Sequence, residues 1–234
     1  MTAAAFEALF DDAAIFPPGN APVDVAVKDH LAREATPDGA RVGPLVCDVG
    51  RLPALLDAAV RPVRVSVVGS VEELAPALRR LMGSPVEPVG AELRGPISLL
   101  PDLPVHSIAV EMPWGTGFHV PPGALLKLRC GGDQVPTVDE LAAAIVHCVE
   151  HGLQFKLTAG LHSALAHDGA HGFVNVMAAV VAATRGQDPA PVLTAAAEDL
   201  DLESLGESRR LFRSIGTCSI DEPLADLRTL GLLE

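Results

Sequence analysis

The chain has 234 residues, a common size for one domain, and we expect a single domain over residues 1–234. A formal net charge of −13, with 3% aromatic residues and no tyrosine, argues against nucleic acids and anionic membrane surfaces as partners. The N-terminal sequence lacks a signal-peptide pattern, and no apolar run approaches the ~20 residues of a membrane span, so we expect a cytoplasmic protein that binds a small molecule.

Eight apolar, strand-like runs alternate with helical patterns along the chain, which predicts a parallel sheet. The predicted strands are residues 13–17, 42–49, 63–69, 87–93, 107–112, 124–129, 154–160 and 212–218. Eight such units favour an α/β fold of the (β/α)8 TIM-barrel type. The connection between strands five and six, WGTGFHVPPG, has little room for a helix, so the barrel is expected to be irregular there. An open, doubly wound sheet is the alternative fold.

The helical segments carry recognisable start and stop signals. A Thr137-x-x-Glu140 capping box opens the segment that ends at Gly152, and Gly83 ends the one that begins at Val71. Further helices are predicted at residues 52–60, 171–186, 191–200 and 222–233. The apolar segment at 171–186 fits either the core or a dimer interface, so a homo-oligomer is also considered.

Charged residues interrupt four consecutive apolar strands, where a barrel interior normally carries branched apolar side chains. They are Glu92, Arg94, Glu111, Lys127, Arg129 and Lys156, and Thr158 shares a strand face with Lys156. Buried charges need partners, so these side chains are expected to meet in one interior. Four cations against two carboxylates predict a small anionic ligand. The alternative is a purely structural ion-pair network.

Glycine-containing turns follow predicted strands six to eight, at residues 131–132, 159–160 and 216–219. Such turns let backbone N–H groups approach a ligand closely. Ser219 or Asp221 would cap the final helix at the same rim. We therefore expect Gly216, Thr217 and Ser219 to bind the anion.

The sequences KLRCGG, FKLTAG and SIGTCS, at predicted strands six, seven and eight, resemble the last three strands of deoxyribose-phosphate aldolase-type class I aldolases. The resemblance covers about a third of the chain. It implies that Lys127 forms a Schiff base, that Lys156 is the neighbouring lysine and that residues 216–219 form a phosphate turn. Arg129 stands where the family has a small polar residue, and the family's strand-four aspartate has no clear match.

Together these residues predict a cofactor-independent lyase or isomerase acting on a small anionic carbonyl compound. Lys127 or Lys156 would supply the amine, since a second ammonium nearby lowers a lysine's pKa. Glu111 or Glu92 would move protons. Arg129, with Arg94 and Thr158, would help to bind the substrate, and its fork of donors suits a carboxylate.

Two other functions stay open. His162, in the loop after strand seven, could act as an acid or base, or could bind a metal together with Asp11, Asp12 or Glu111 in a metal-dependent hydrolase or lyase. Asp12 is expected to face the barrel mouth. A noncatalytic ligand-binding barrel is the other alternative. His147 and His151 match the H-x-x-E-H pattern of zinc peptidases, but they lie at a helix end on the stability face, which argues against a zinc site.

Overall fold

The computed structural model describes residues 2–234, and its eight parallel strands close into one barrel in sequence order. The strands are β1 (Phe10–Asp12), β2 (Val42–Asp48), β3 (Val63–Gly69), β4 (Val86–Arg94), β5 (Ser107–Glu111), β6 (Leu125–Arg129), β7 (Phe155–Thr158) and β8 (Phe212–Thr217). β8 pairs with β1 and closes the ring. The predicted barrel is confirmed, and the open doubly wound sheet is wrong.

Six α-helices surround the barrel: α1 (Val23–Glu34), α2 (Leu52–Ala58), α3 (Val71–Leu81), α4 (Val138–Glu150), α5 (Phe173–Thr184) and α6 (Asp221–Thr229). Both halves of the predicted capping box at Thr137 and Glu140 are formed, and Gly83 and Gly152 adopt positive φ just beyond their helices. No helix within residues 2–234 is long and apolar enough to cross a bilayer. As expected, residues 112–124 between β5 and β6 contain no helix.

The first strand lies three residues earlier than predicted. The apolar residues 13–17 form turns, whereas β1 consists of Phe10, Asp11 and Asp12, all buried. The prediction failed because two adjacent aspartates are typical of a loop. Their burial depends on cationic partners far along the chain: Asp11 bonds to Lys156, 145 positions away.

The helix predicted at 191–200 is also wrong. Two 3-10 helices occupy this region, at Val192–Thr194 and Ala197–Asp199, and a third follows at Leu205–Arg210. The buried amide of Asn175, on α5, donates to the carbonyl oxygens of Val192 (3.0 Å) and Ala195 (2.8 Å), which holds the chain in turns. Packing of this segment helps to bury residues 173–183 of α5 within a single chain.

Candidate functional site at the barrel interior

The inner face of the barrel is polar around strands β4 to β8 and β1. In the ladder, Glu111 pairs with Lys127 and Lys127 pairs with Lys156, while Gly216 pairs with Asp11. Paired positions of parallel strands point their side chains to the same side. The register therefore brings charges from five strands into one interior, as the sequence predicts for β4 to β7.

Five of these side chains form a continuous series of ion pairs, which we name the interior ion chain: Glu111, Lys127, Glu92, Lys156 and Asp11. Lys127 Nζ lies 2.7 Å from Glu111 Oε2 and 2.6 Å from Glu92 Oε2. Lys156 Nζ lies 2.6 Å from both Glu92 Oε1 and Asp11 Oδ2. Glu92 thus holds both lysines with its two oxygens.

Hydroxyl groups complete the network at its inner positions. Ser214 Oγ donates to Asp11 Oδ2 over 2.6 Å, and Ser66 Oγ donates to Glu92 Oε1 over 3.2 Å. These bonds matter because a buried carboxylate needs its lone pairs satisfied. Sequence reasoning missed Ser66 and Ser214 as members of the site, and it considered Asp11 only as a possible metal ligand beside His162. The sequence feature that could have identified Asp11 is its position in a short run flanked by apolar residues, which forms β1 and pairs with β8.

The network corrects the predicted excess of positive charge. Asp11 adds a third carboxylate, so the ion chain holds two ammonium groups and three carboxylates. The expected excess of positive charge is absent from the ion chain for two reasons: the predicted first strand did not include Asp11, and Arg94 and Arg129 lie outside the ion chain.

The pKa values of the inner pair are shifted in opposite directions. Burial by itself lowers the pKa of Lys156, but the charges of Asp11 and Glu92 outweigh burial and raise it well above its ordinary value. Burial by itself raises the pKa of Glu92, yet Lys127 and Lys156 hold it well below the usual range. Lys156 is therefore held as a cation, which fits the role of the neighbouring lysine and does not favour the alternative in which Lys156 supplies the free amine.

Lysine is rare outside this interior. The chain has three lysines and 14 arginines, and the third lysine, Lys28, is exposed on α1. Two of the three lysines thus lie buried on neighbouring strands. Because arginine keeps its proton whereas lysine can act as a nucleophile, the two buried side chains in this interior are the ones whose chemistry differs from that of the arginines.

Lys127 and Glu111 lie toward the C-terminal ends of the strands. The side chain of Lys127 is 7% exposed and that of Glu111 is 20% exposed. Arg129 ends β6 with its side chain 41% exposed, and its Nη1 lies 4.0 Å from Glu111 Oε1. Thr158, half-buried, pairs with Arg129 in the ladder. These four residues form one mouth, whereas Arg94 lies exposed at the end of β4 without an ion pair to any described residue.

Asp12 does not face the barrel mouth. Its Oδ2 lies 3.0 Å from His30 Nδ1 and 3.6 Å from Arg33 Nη1, both on α1. Alternation along β1 turns Asp12 outward when Asp11 points inward. Its predicted role in substrate binding is wrong, and Asp12 instead joins β1 to the helical layer.

The turn after β8 is held by its own hydroxyl groups. Thr217 Oγ1 donates to the carbonyl oxygen of Ser219 (2.9 Å) and accepts from the Ser219 N–H (3.3 Å). The Glu222 N–H donates to Ser219 Oγ (3.4 Å), but the N-cap residue of α6 is Ile220 and not the predicted Ser219 or Asp221. Gly216 faces the interior, where an added Cβ would lie 2.7 Å from Thr158 Oγ1. Anion binding by this turn stays a prediction.

His162 has partners other than those predicted. Its Nδ1 lies 2.9 Å from Glu222 Oε2, and its Nε2 lies 4.0 Å from Cys218 Sγ, in a surface pocket outside the barrel. His162 is therefore not brought together with Asp11, Asp12 or Glu111. No group of three or more His, Cys, Asp or Glu side chains within the described residues is arranged to hold a metal ion.

The H-x-x-E-H histidines stack on each other instead of spreading around a common centre. The rings of His147 and His151 are 4.1 Å apart at an interplanar angle of 25°, and His151 Nδ1 bonds to the His147 carbonyl oxygen over 2.9 Å. Burial, followed by the charges of His151 and His119, lowers the pKa of His147. This geometry agrees with a structural role at the end of α4.

Comparison of the chain with protein-family models, with curated proteins and with solved structures finds no match.

Proposed function

We propose that the protein is a cofactor-independent lyase or isomerase that binds a small carbonyl compound covalently through Lys127. The observation that carries the proposal is the position of Lys127 Nζ between Glu92 and Glu111, at 2.6 and 2.7 Å, beside the C-terminal mouth. In barrels of this type the C-terminal end of the strands is the usual place for catalysis. The resemblance of β6, β7 and β8 to class I aldolases agrees with this assignment.

The two lysines have different roles in the proposed reaction. Lys156 remains an ammonium ion, because both of its carboxylate partners, Asp11 and Glu92, are buried and hold its pKa high. Lys127 gives a proton to Glu111, the partly exposed partner, and its free amine attacks the substrate carbonyl carbon. The carbonyl oxygen takes one proton from the attacking nitrogen and one from Glu111 and leaves as water, and a C=N⁺ bond to Lys127 remains.

The iminium then draws electrons from the adjacent carbon. Glu111 is within 2.7 Å of Lys127 Nζ, so the same carboxylate is placed to remove or return a proton next to the iminium. A proton moved between neighbouring carbons gives isomerisation, and a broken C–C bond gives a lyase. Hydrolysis of the iminium by water releases the product and restores Lys127.

Arg129 supplies the binding group for the anionic part of the substrate. Its side chain is 41% exposed and is 4.0 Å from its only acidic neighbour within the described residues, so its donors are free for a ligand. A planar guanidinium binds a carboxylate through two parallel hydrogen bonds. A keto acid or an aldehyde acid is therefore the preferred substrate class.

The experiment is borohydride trapping followed by intact-mass spectrometry, with a panel of aldehydes, keto acids and sugar phosphates. A Lys28→Arg background leaves only Lys127 and Lys156 as lysines. We expect an adduct with at least one keto acid, located at Lys127 by peptide mapping and absent from Lys127→Arg.

The Lys156→Arg variant is the matched control, because it keeps the inner cation and removes the other amine. We expect Lys156→Arg to retain the adduct. An adduct only on Lys156 or on the N-terminal amine, or none across the panel, would overturn the assignment. Tight binding without any adduct would identify a noncatalytic binding barrel.

A further inference from the structure

The largest cavity lies at the opposite end of the barrel. It has a volume of about 760 Å³ and opens between the N-terminal ends of the strands, where Arg64 is the second residue of β3 and Arg213 the second residue of β8. Its inner end reaches Asp11 and Lys156 of the interior ion chain. This volume is in the range of small-molecule sites.

Three arginines surround the opening of this cavity: Arg64, Arg209 and Arg213. Arg209 bonds to the carbonyl oxygens of Phe212 (3.1 Å) and Glu7 (3.0 Å) and pairs with no carboxylate of the described chain. Within residues 2–234, the side chains of Arg64 and Arg213 form neither a hydrogen bond nor an ion pair. Burial, followed by the charge of Arg213, lowers the pKa of Arg209 to about 10, so these positive charges are close enough to repel.

Unbalanced positive charge is unexpected at this place in a protein of net charge −13. The other ionised groups of the cavity wall are Glu7, Asp11, Glu92 and Lys156. The last three belong to the ion chain, in which Lys156 lies 2.6 Å from both Asp11 and Glu92. The opening is left with three guanidinium groups against the single carboxylate of Glu7, and this is the arrangement that binds an oxyanion.

The wall behind the arginines is small and hydroxylated. Gly90, Ser107 and Ala109 stand where barrels usually carry branched apolar side chains. The hydroxyl oxygens of Ser66 and Ser107 converge on Gly90, where an added Cβ would lie 3.0 and 3.2 Å from them. This wall suits a ligand whose anionic group is attached to a small portion that carries hydroxyl groups.

We propose that this cavity is a second binding site, for a small phosphate monoester whose phosphate group lies among Arg64, Arg209 and Arg213. Its hydroxylated body extends toward Ser66 and Ser107. Three guanidinium groups match the several oxygens of a dianionic phosphate. The interior ion chain separates this site from the mouth at Lys127, so the two sites bind their ligands independently.

Isothermal titration calorimetry of the full chain with glycerol 3-phosphate tests the site, with inorganic phosphate, glycerol, sulfate and citrate as further titrants. We expect binding of glycerol 3-phosphate and inorganic phosphate that weakens with added salt, and none of glycerol. The double variant R64A/R213A should weaken phosphate binding at least tenfold. R79A/R80A removes the same charge from the exposed surface of α3 and should bind as the wild type does.

Arg64 and Arg213 are chosen because both are exposed and neither anchors a described neighbour, so the variants should fold. Thermal unfolding without ligand checks this. Absence of binding to the wild type, equal losses in the two double variants, or equal affinity for sulfate or citrate would overturn the proposal. R64A/R213A should still form the borohydride adduct at Lys127, so failure of one proposal is distinguishable from failure of the other.

Discussion

At the scale of single residues, two identical side chains on paired positions have different properties because of their neighbours. Lys127 and Lys156 are ladder partners, and both bond to Glu92. Lys156 has Asp11 as its other partner, deep in the barrel, whereas Lys127 has the partly exposed Glu111. Only Lys127 therefore has a proton acceptor that a substrate at the C-terminal mouth can reach.

The shared carboxylate of Glu92 makes a sharp prediction for stability. Glu92→Gln leaves two buried ammonium groups each without one carboxylate partner, and breaking a buried ion pair costs about 3 to 5 kcal/mol. Urea unfolding at neutral pH measures the loss. Glu87→Gln is the matched control, because Glu87 is exposed on the same strand. Equal stability of the two variants would show that Glu92 does not hold the lysines together.

Cys218 is predicted to be the most reactive of the four cysteines. Burial raises the pKa of Cys47, Cys130 and Cys148 to about 12. Cys218 is only half-buried, and although burial also raises its pKa, His162 Nε2 lies 4.0 Å from its sulfur. The histidine can take the thiol proton as the sulfur attacks. Native-state alkylation with peptide mapping should label Cys218 first.

The same experiment tests the part played by the histidine. His162→Ala should slow alkylation of Cys218 several-fold, since no base then faces the thiol. His167→Ala changes an exposed histidine of the same loop and should leave the rate unchanged. If both variants react as fast as the wild type, exposure alone explains the reactivity.

At the scale of secondary-structure elements, the ends of β6 and β7 are held together by a close backbone approach. Gly160 has φ +71°, and a Cβ added to it would collide with the Cys130 carbonyl group. Gly131 lies equally close to Gly160, with an added Cβ 2.6 Å from the Gly160 nitrogen. Glycine at these turns therefore sets how closely the strands that carry Lys127 and Lys156 meet.

Gly160→Ala is expected to destabilise the protein more than Gly152→Ala. Both residues have positive φ, which costs roughly 1 to 2 kcal/mol for alanine. Gly152 has open space around an added Cβ, whereas Gly160 has the Cys130 carbonyl. The difference between the two free energies of unfolding, measured in urea, gives the cost of the contact between the added Cβ and the Cys130 carbonyl group. An equal loss in both variants would mean that the turn shifts without strain.

The elements that could be predicted from sequence are those with local signals. Seven strands were located by apolar runs, and α4 by its capping box and by Gly152. Strand β1 and the segment after α5 were not, because their structure depends on distant partners. The burial of Asp11 requires Lys156, and the 3-10 turns at Val192 require the amide of Asn175.

The residues of the candidate site also fall into those with a local sequence signal and those that depend on distant partners. Glu92, Glu111, Lys127 and Lys156 were found because each charge interrupts an apolar strand. Their pairing and the inclusion of Asp11 depend on register, which a single sequence does not specify. The arginines of the N-terminal cavity looked like ordinary surface charge, because a charge at the start of a strand carries no local signal.

At the scale of the whole molecule, the interior ion chain divides the barrel into two compartments. Glu111 faces the C-terminal mouth, and Asp11 and Lys156 face the N-terminal cavity. A barrel filled by branched side chains would have no such division. The charges of the ion chain stabilise the folded protein, and the same ion chain contains the amine of Lys127 that we propose to react. Because these groups titrate, the stability of the protein depends on pH.

The pH dependence follows from the two shifted pKa values. The pKa of Glu92 is lowered in the folded state, so its contribution is complete above its ordinary value of 4.5 and is lost as pH falls below it. The pKa of Lys156 is raised, so its contribution is complete below its ordinary value of 10.5 and is lost as pH rises beyond it. The contribution of the ion chain to stability should be level between these limits.

Comparison of the wild type with Glu92→Gln separates the loss of stability at acidic pH that is due to Glu92 from the loss that is due to the other carboxylates. Below about pH 4.5 the unfolded wild type binds a proton at Glu92 that the folded protein does not. Its stability advantage over Glu92→Gln should therefore shrink by about 1.4 kcal/mol per pH unit. Urea unfolding of both proteins from pH 6 to pH 3 measures this gap. A gap that stays constant over this range would mean that Glu92 has the same pKa in the folded and the unfolded protein, so the two lysines would not stabilise its charge.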